Sequence, residues 1–404
     1  MAVQQGKLGR RWAAVVLAAA LATSTFATPA SAATVPCPHD AAANVDHPPL
    51  PAHPAADHYQ RAIGGRRLDT PGLVVPGKGA RPPAVSATSW LVADLDTGEI
   101  LGSCGPHEYA APASVQKLLL AATFVGRLDP NQLITVTPGD LDIPPDSSMV
   151  GLVPGGRYRV ETLWLGLLLQ SGNDAANVLA RLGGGTVARG VAAMNAEAAR
   201  LGAYQTHAVT PSGYDGPGQF TSAYDLALIA RACFADDAFR RYTATRTAYM
   251  PAQPPKYKGF AFQNQNQLLY EYPGAIGGKT GFTDLARHTY VGAAQRGNRR
   301  LVVTLLGAES WPQAGWEQGV ALLNWGFGLP TGTSVGNLVE PGQAPPTPRP
   351  SPSPSAAAAV AAVPAVVNDP GWTPATTIAV GVLGIVGIGL LAGVTRWIRR
   401  PRRR

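Results

Sequence analysis

The chain has 404 residues, of which 46% are hydrophobic and 14% are charged, and its formal net charge is +8. Most of that excess comes from arginines at the extreme C-terminus, namely Arg396, Arg399, Arg400, Arg402, Arg403 and Arg404. The rest of the chain is nearly balanced in charge and has no run of basic residues interleaved with aromatic ones, so the composition excludes a nucleic-acid-binding protein.

The N-terminus has the features of an export signal. Basic residues precede an apolar run over residues 12–21, and small residues follow at 30–32. This order predicts a signal peptide over residues 1–32 that is cleaved after Ala32. A first transmembrane helix is the alternative, but the apolar run is short for a bilayer.

The segment that follows the signal is rich in Pro, Ala and His and has little periodicity. Such a composition predicts an extended leader over residues 33–84, with regular structure beginning near Val85.

The chain contains three cysteines, Cys37, Cys104 and Cys233. This small number suits an exported protein with one disulfide, and no pair has the close spacing of zinc ligands. Because Cys233 lies in an apolar helical stretch, the preferred disulfide joins Cys37 to Cys104, and the other pairings stay open.

The folded part begins and ends with strands. Residues 88–95 and 99–101 predict a hairpin around a turn at 96–98, and strands return near 275, at 288–295 and at 300–306. A closing helix is predicted at about 316–325.

Helical patterns occupy the middle of the chain. An apolar helix is predicted from about Pro112, and further helices at about 160–183, 186–202 and 222–240, joined by glycine-rich segments. The order of elements predicts an α+β domain over residues 85–330, in which an antiparallel sheet is flanked by helices and carries an inserted all-helical subdomain.

The C-terminal part predicts a membrane attachment. Residues 331–373 form a Pro/Ala-rich stalk, and residues 374–395 carry no charge and are long enough to cross a bilayer. The arginines of the tail, residues 396–404, would stay in the cytoplasm. The prediction is therefore an exported, single-pass protein with its folded domain outside the cell.

Three short motifs carry the chemistry. Ser114 and Lys117 stand three residues apart at a helix start, a spacing that places a nucleophile and a base on one helix face. Ser171-Gly172-Asn173 follows an apolar helix, and Lys279-Thr280-Gly281 opens the later strand region. Each motif is weak when taken singly, whereas the three in this order are typical of serine penicillin-binding proteins and β-lactamases.

The sequence resembles the low-molecular-mass serine D-alanyl-D-alanine carboxypeptidases, especially the membrane-anchored actinobacterial enzymes, over about residues 85–328. The stretches that carry the resemblance are Pro112-Ala113-Ser114, residues 169–176, Thr210-Pro211-Ser212-Gly213, Asn264-Gln265-Asn266 and residues 278–283. It implies the β-lactamase/penicillin-binding transpeptidase fold and removal of the terminal D-alanine from peptidoglycan stem peptides.

The resemblance also implies the catalytic roles. Ser114 would attack the carbonyl between the two D-alanines, and Lys117 would take its proton. Ser171 would pass a proton to the departing D-alanine, and Asn173 would hold the peptide amide.

Substrate binding is implied at the third motif. Lys279 and Thr280 would hold the terminal carboxylate, and Gly281 would let the strand approach the substrate. The backbone N–H groups of Ser114 and Phe282 would form the oxyanion hole. β-Lactams would act as covalent inhibitors, and neither a metal nor a cofactor is expected.

Two departures from related enzymes bear on function. A Glu-x-x-Leu-Asn motif, which activates the deacylating water in fast β-lactamases, is absent after Ser171, so a β-lactamase is the less favoured alternative. The arginine that often grips the carboxylate past the last strand is also absent from residues 307–310. A D,D-transpeptidase or endopeptidase with the same acyl-enzyme stays open, and a catalytically silent wall-binding protein is disfavoured because Ser114 and Lys117 are both present.

Overall fold

A computed structural model describes residues 34–40, 48–49, 52–55 and 57–343. The predicted signal peptide, transmembrane segment and cytoplasmic tail lie outside these residues. Among the described helices none is both long and apolar enough to cross a membrane.

The core of the fold is an antiparallel sheet of seven strands. The strands of the described chain are β1 (Leu73–Val74), β2 (Ser89–Asp94), β3 (Glu99–Cys104), β4 (Leu133–Thr135), β5 (Arg157–Arg159), β6 (Thr247–Met250), β7 (Phe260–Gln263), β8 (Ala275–Thr283), β9 (Arg287–Arg296), β10 (Arg299–Ala308) and β11 (Gly336–Asn337). The sheet order is β1-β3-β2-β10-β9-β8, and β11 pairs with the same edge of β3 as β1.

Helices cover both faces of this sheet. The described helices are α1 (His58–Arg61), α2 (Lys117–Phe124), α3 (Val160–Gln170), α4 (Asn173–Gly184), α5 (Val187–Leu201), α6 (Ala223–Ala235), α7 (Asp237–Ala244), α8 (Leu268–Glu271) and α9 (Gly315–Gly328). Helix α9 packs on one face of β2, β9 and β10, and α6 packs on the other face of β2 and β10. Strand β2 is buried along its whole length for this reason. The predicted α+β class with a helix-covered antiparallel sheet is confirmed.

The block predicted at residues 160–240 is helical, and short strands that were not predicted flank it. Two small two-stranded sheets, β4 with β5 and β6 with β7, lie beside its helices. The helix predicted over residues 160–183 is also divided, because Ser171 takes a left-handed conformation (φ 61°) that ends α3. Such short strands leave little periodicity in the sequence, which explains why they were missed.

Regular structure begins earlier than Val85. Helix α1 and strand β1 lie within the predicted leader, and a disulfide joins Cys37 to Cys104 with their α-carbons 5.9 Å apart. Scattered apolar residues such as Ile63 and Leu68 are buried in the main core, although the proline-rich composition hides them. The preferred cysteine pairing is confirmed, and Cys233 is free and buried.

Packed structure also continues past residue 330. Strand β11 pairs with β3, and Val335, Leu338 and Val339 are buried. The first residues of the predicted stalk therefore belong to the folded body.

Candidate active site

The three sequence motifs meet at one cleft between the helical block and the edge strand β8. The cleft has a volume of about 580 Å³. Of the eight predicted site residues, those that line it are Ser114, Ser171, Asn173, Thr280, Gly281 and Phe282. The side chains of Lys117 and Lys279 are buried, with 0% and 2% of their surfaces exposed.

Ser114 lies in a short 3-10 helix, Ala113–Gln116, that runs directly into α2. The preceding residue, Ala113, has a positive φ of 47°, which is uncommon for a residue other than glycine. Gly213 presses against this turn, because a Cβ at that position would lie 1.8 Å from the Ala113 carbonyl oxygen. The surrounding backbone therefore fixes the hydroxyl of Ser114 at the floor of the cleft.

Lys117 lies one helical turn after Ser114 and points to the same side. Its Nζ is 2.7 Å from Ser114 Oγ, 2.8 Å from Asn173 Oδ1 and 2.7 Å from the Ser212 carbonyl oxygen. Burial, followed by the charge of Lys279, holds the pKa of Lys117 well below its ordinary value of 10.5.

The second motif occupies the turn between α3 and α4. The left-handed backbone at Ser171 directs the chain so that Ser171 and Asn173 both line the cleft. The Ser171 Oγ is buried and has no hydrogen-bond partner among the described residues.

Asp174 holds the opposite rim of the cleft in place. Its carboxylate accepts hydrogen bonds of 2.9–3.0 Å from the backbone N–H groups of Val150, Gly151 and Leu152. This loop continues from residues 146–148, which line the cleft. Asp174 thus anchors this loop.

The third motif lies on β8, which is the free edge of the main sheet. Gly281 faces the backbone of Ser114, since a Cβ there would lie 2.8 Å from the Ser114 nitrogen. Lys279 donates a hydrogen bond of 2.7 Å to the carbonyl oxygen of Thr280. Burial lowers the pKa of Lys279 to about 7.

Three further residues contribute to the site without having been predicted. The Ser212 carbonyl contacts Lys117, and no side-chain pattern can reveal a backbone contact of this kind. Asp215 lines the cleft and accepts a hydrogen bond of 2.8 Å from the Thr283 hydroxyl. His288 also lines the cleft, although its sequence context indicated only the start of a strand.

The described residues contain no group of three or more His, Cys, Asp or Glu side chains arranged to hold a metal ion.

A serine hydroxyl beside a buried lysine, a Ser-x-Asn turn above them and a Lys-Thr-Gly edge strand define a penicillin-binding serine enzyme. Comparison of the sequence with known protein families identifies the family within this class. Residues 77–310 match the family of D-alanyl-D-alanine carboxypeptidases, peptidase family S11, and the chain belongs to that family.

Known proteins of the family align over most of the described region. The carboxypeptidase DacB2 of Mycobacterium tuberculosis is 45% identical over 270 residues, which cover 66% of this chain and 90% of that protein. The carboxypeptidase DacD of Salmonella typhimurium is 34% identical over 258 residues, which cover 61% of this chain and 64% of DacD.

Solved structures show the same fold. The crystal structure of a D-alanyl-D-alanine carboxypeptidase from Mycobacterium tuberculosis H37Rv has a TM-score of 0.62 and 42% identity, covering 66% of this chain and 100% of that one. The DD-transpeptidase of Streptomyces K15 has a TM-score of 0.59 and 27% identity, covering 62% of this chain and 100% of that one. The protein is therefore a serine D-alanyl-D-alanine carboxypeptidase.

Proposed function

We propose that Ser114 is the nucleophile that removes the terminal D-alanine of peptidoglycan stem peptides, and that Lys117 is its base. The supporting observation is the 2.7 Å distance between Lys117 Nζ and Ser114 Oγ at the floor of the cleft. The hydroxyl loses its proton to the amine as its oxygen bonds to the carbonyl carbon between the two D-alanines.

Burial and the charge of Lys279 favour the neutral form of Lys117, and its neighbours can accommodate that form. The oxygens of Asn173 and Ser212 can only accept hydrogen bonds, so they take the two N–H groups of a neutral amine. The lone pair of the amine is then directed at the Ser114 hydroxyl, which donates a hydrogen bond to the amine nitrogen. The lowered pKa of Lys117 agrees with this assignment.

Ser171 supplies the proton for the leaving group. Its buried Oγ faces the cleft without a partner in the described structure, so it is free to bridge Lys117 and the amide nitrogen. The C–N bond breaks as that nitrogen receives the proton, and D-alanine leaves with the acyl group on Ser114. Asn173 holds the substrate amide while its oxygen stays on Lys117.

The edge strand binds the substrate. Thr280 offers a hydroxyl and Lys279 a positive charge to the terminal carboxylate. The backbone N–H groups of Ser114 and Phe282 form the oxyanion hole, and each such donor is worth about 3 kcal/mol at the transition state. Water then hydrolyses the acyl-enzyme, whereas β-lactams form the same ester and remain on Ser114.

Labelling with a fluorescent penicillin tests the nucleophile. Wild type is expected to bind the label covalently and to release D-alanine from a pentapeptide, and Ser114→Ala is expected to do neither. Ser103→Ala is a suitable control, because Ser103 is a buried serine on β3 outside the cleft. Equal labelling of wild type and Ser114→Ala would show that Ser114 is not the nucleophile.

We further propose that the chain is exported and held at the cell membrane by residues 374–395. Support comes from the basic, apolar and small residues of the N-terminus and from the uncharged segment before the C-terminal arginines. Full-length protein is expected in the membrane fraction, and a variant ending at residue 343 in the soluble fraction. A mature N-terminus at Ala33 would support cleavage, and truncated protein that stays with the membrane would contradict this mode of anchoring.

A further inference from the structure

His288 lies on the wall of the cleft, and the proposed mechanism gives it no role. It pairs across the strands with Phe282, and the two ring centroids are 4.6 Å apart. Thr280 lies two residues before Phe282 on the same strand and lines the same cleft. Diagonal neighbours of this kind lie about 7–8 Å apart at their α-carbons, so an imidazole at 288 reaches a group bound at Thr280.

The other basic side chains near Thr280 already interact with groups of the protein. Arg287 forms a bidentate ion pair with Glu309, with N–O distances of 2.9 and 2.8 Å. Lys279 is buried and donates to the Thr280 carbonyl. Among the described residues that line the cleft, His288 is the one basic side chain. The carboxylates that line it are Asp146, Asp215 and Asp284.

The imidazole of His288 has unused hydrogen-bonding capacity. It is half-buried, and no hydrogen bond joins it to another residue of the described chain. A ligand oxygen bound beside Thr280 can therefore accept a hydrogen bond from this ring.

We propose that His288 binds the terminal carboxylate of the substrate together with Thr280 and Lys279. His288 thereby contributes to the preference for substrates with a free C-terminus. This inference rests on the proposed function, because it uses the substrate orientation given above. It also accounts for how a cleft without an arginine past its last strand holds an anionic terminus.

The contact is expected to depend on pH. Burial lowers the pKa of His288, the charge of Glu309 raises it and the charge of Arg287 lowers it. Asp215 and Asp284 face the same cleft. Before the substrate binds, the imidazole is therefore neutral at neutral pH and offers one N–H. A bound carboxylate favours the imidazolium, so the contact strengthens as the pH falls.

The test compares acylation of full-length protein by benzylpenicillin, which carries a carboxylate, and by its methyl ester, which does not. The measured quantity is the second-order rate constant for benzylpenicillin divided by that for the methyl ester. His288→Phe keeps a ring against Phe282 but has no N–H, and we expect its ratio to fall roughly tenfold. His288→Gln keeps a neutral donor, so its ratio should stay near wild type at neutral pH. His58→Phe is the control, because the side chain of His58 is 80% exposed and lies outside the cleft.

As the pH falls from about 8 to about 5, protonation of Lys279 should raise the ratio in both proteins, and the additional charge on His288 should raise it further in wild type than in His288→Gln. An unchanged ratio in His288→Phe, or equal slowing of both probes, would overturn the inference, since equal slowing indicates only lost packing against Phe282. Failure of wild type to be acylated at all would instead contradict the proposed function.

Discussion

Gly281 on β8 lies directly against the backbone of Ser114. A Cβ on Gly281 would come within 2.8 Å of the Ser114 nitrogen and 2.4 Å of the Thr289 hydroxyl. Thr289 cannot easily move away, because its hydroxyl donates to the Pro112 carbonyl over 2.8 Å. The glycine of the third motif is thus required by the fit between the strand and the turn that carries Ser114.

Gly281→Ala is therefore expected to displace β8 from Ser114. A shift of about 1 Å in such a site lowers the rate by roughly 100-fold, and penicillin acylation should fall by that order. Gly139→Ala is the matched control, since a Cβ there meets nothing within 4 Å. Acylation of Gly281→Ala at the wild-type rate would show that the strand accommodates the methyl group.

Lys117→Met is expected to separate catalysis from stability. Methionine has a similar length but no base, so acylation should fall by about 10²–10⁴-fold. Methionine avoids the cost of burying an amine but leaves the buried oxygens of Asn173 and Ser212 without their donor, and because these effects oppose each other the unfolding temperature should change little. Stopped-flow acylation and calorimetry measure the two effects, and a variant that still acylates within about tenfold of wild type would exclude Lys117 as the base.

The pH profile of the reaction follows from the two buried lysines. In the proposed mechanism Lys117 acts in its neutral form, so kcat/KM for a D-Ala-D-Ala peptide should rise as the pH increases through the lowered pKa of Lys117. Lys279 must be charged to attract the carboxylate, so kcat/KM should fall again above its pKa of about 7.

Two comparisons test whether the acidic limb of this profile, where kcat/KM rises, comes from Lys117 and the alkaline limb, where it falls, comes from Lys279. Lys279→Gln, which cannot titrate, should lose the alkaline limb. Penicillin methyl ester lacks the carboxylate and should show only the acidic limb with wild type. An alkaline limb that persists in both experiments would have to come from another group.

Local patterns explain how much of the site could be predicted from the sequence. Ser114 and Lys117 meet because three residues make nearly one helical turn, and this spacing is visible in the chain. The Ser212 carbonyl reaches Lys117 from 95 positions away, and His288 enters the cleft only because β9 pairs with β8. Contacts of this kind depend on the assembled fold.

The elements of the fold also divide into those that local patterns predict and those that depend on distant contacts. The hairpin of β2 and β3 and the strands β9 and β10 alternate or run apolar over many residues, so their positions were predicted to within a few residues. The amount of regular structure in the leader was underestimated, because Leu68 is a single apolar residue and Val74 belongs to a run of only three in a proline-rich segment. Val74 pairs with Ser103 of β3, and Leu68 packs in the main core, and neither contact leaves a periodic signal in the sequence.

The disulfide between Cys37 and Cys104 is expected to stabilise the folded body. It closes a loop with a sequence separation of 67, for which the chain-entropy relation gives about 4 kcal/mol. Cys37→Ser should lower the free energy of unfolding by that order in urea denaturation. Acylation should persist, because neither cysteine lines the cleft. Cys233→Ala is the control for loss of a thiol alone, and a Cys37→Ser variant as stable as wild type would show that the leader is held by packing.

Buried His107 is expected to make stability depend on pH. Burial lowers its pKa from 6.5 to about 4, while a hydrogen bond of 3.0 Å joins it to Gln205. Between pH values of about 6.5 and about 4, His107 is therefore protonated in the unfolded chain and neutral in the folded chain. The free energy of unfolding falls as the pH drops through this range. The pKa difference corresponds to a loss on the order of 3 kcal/mol.

Urea denaturation at several pH values should show a shallower loss of unfolding free energy for His107→Gln, whereas His58→Gln should follow wild type. Parallel curves for wild type and His107→Gln would mean that other groups cause the acid sensitivity.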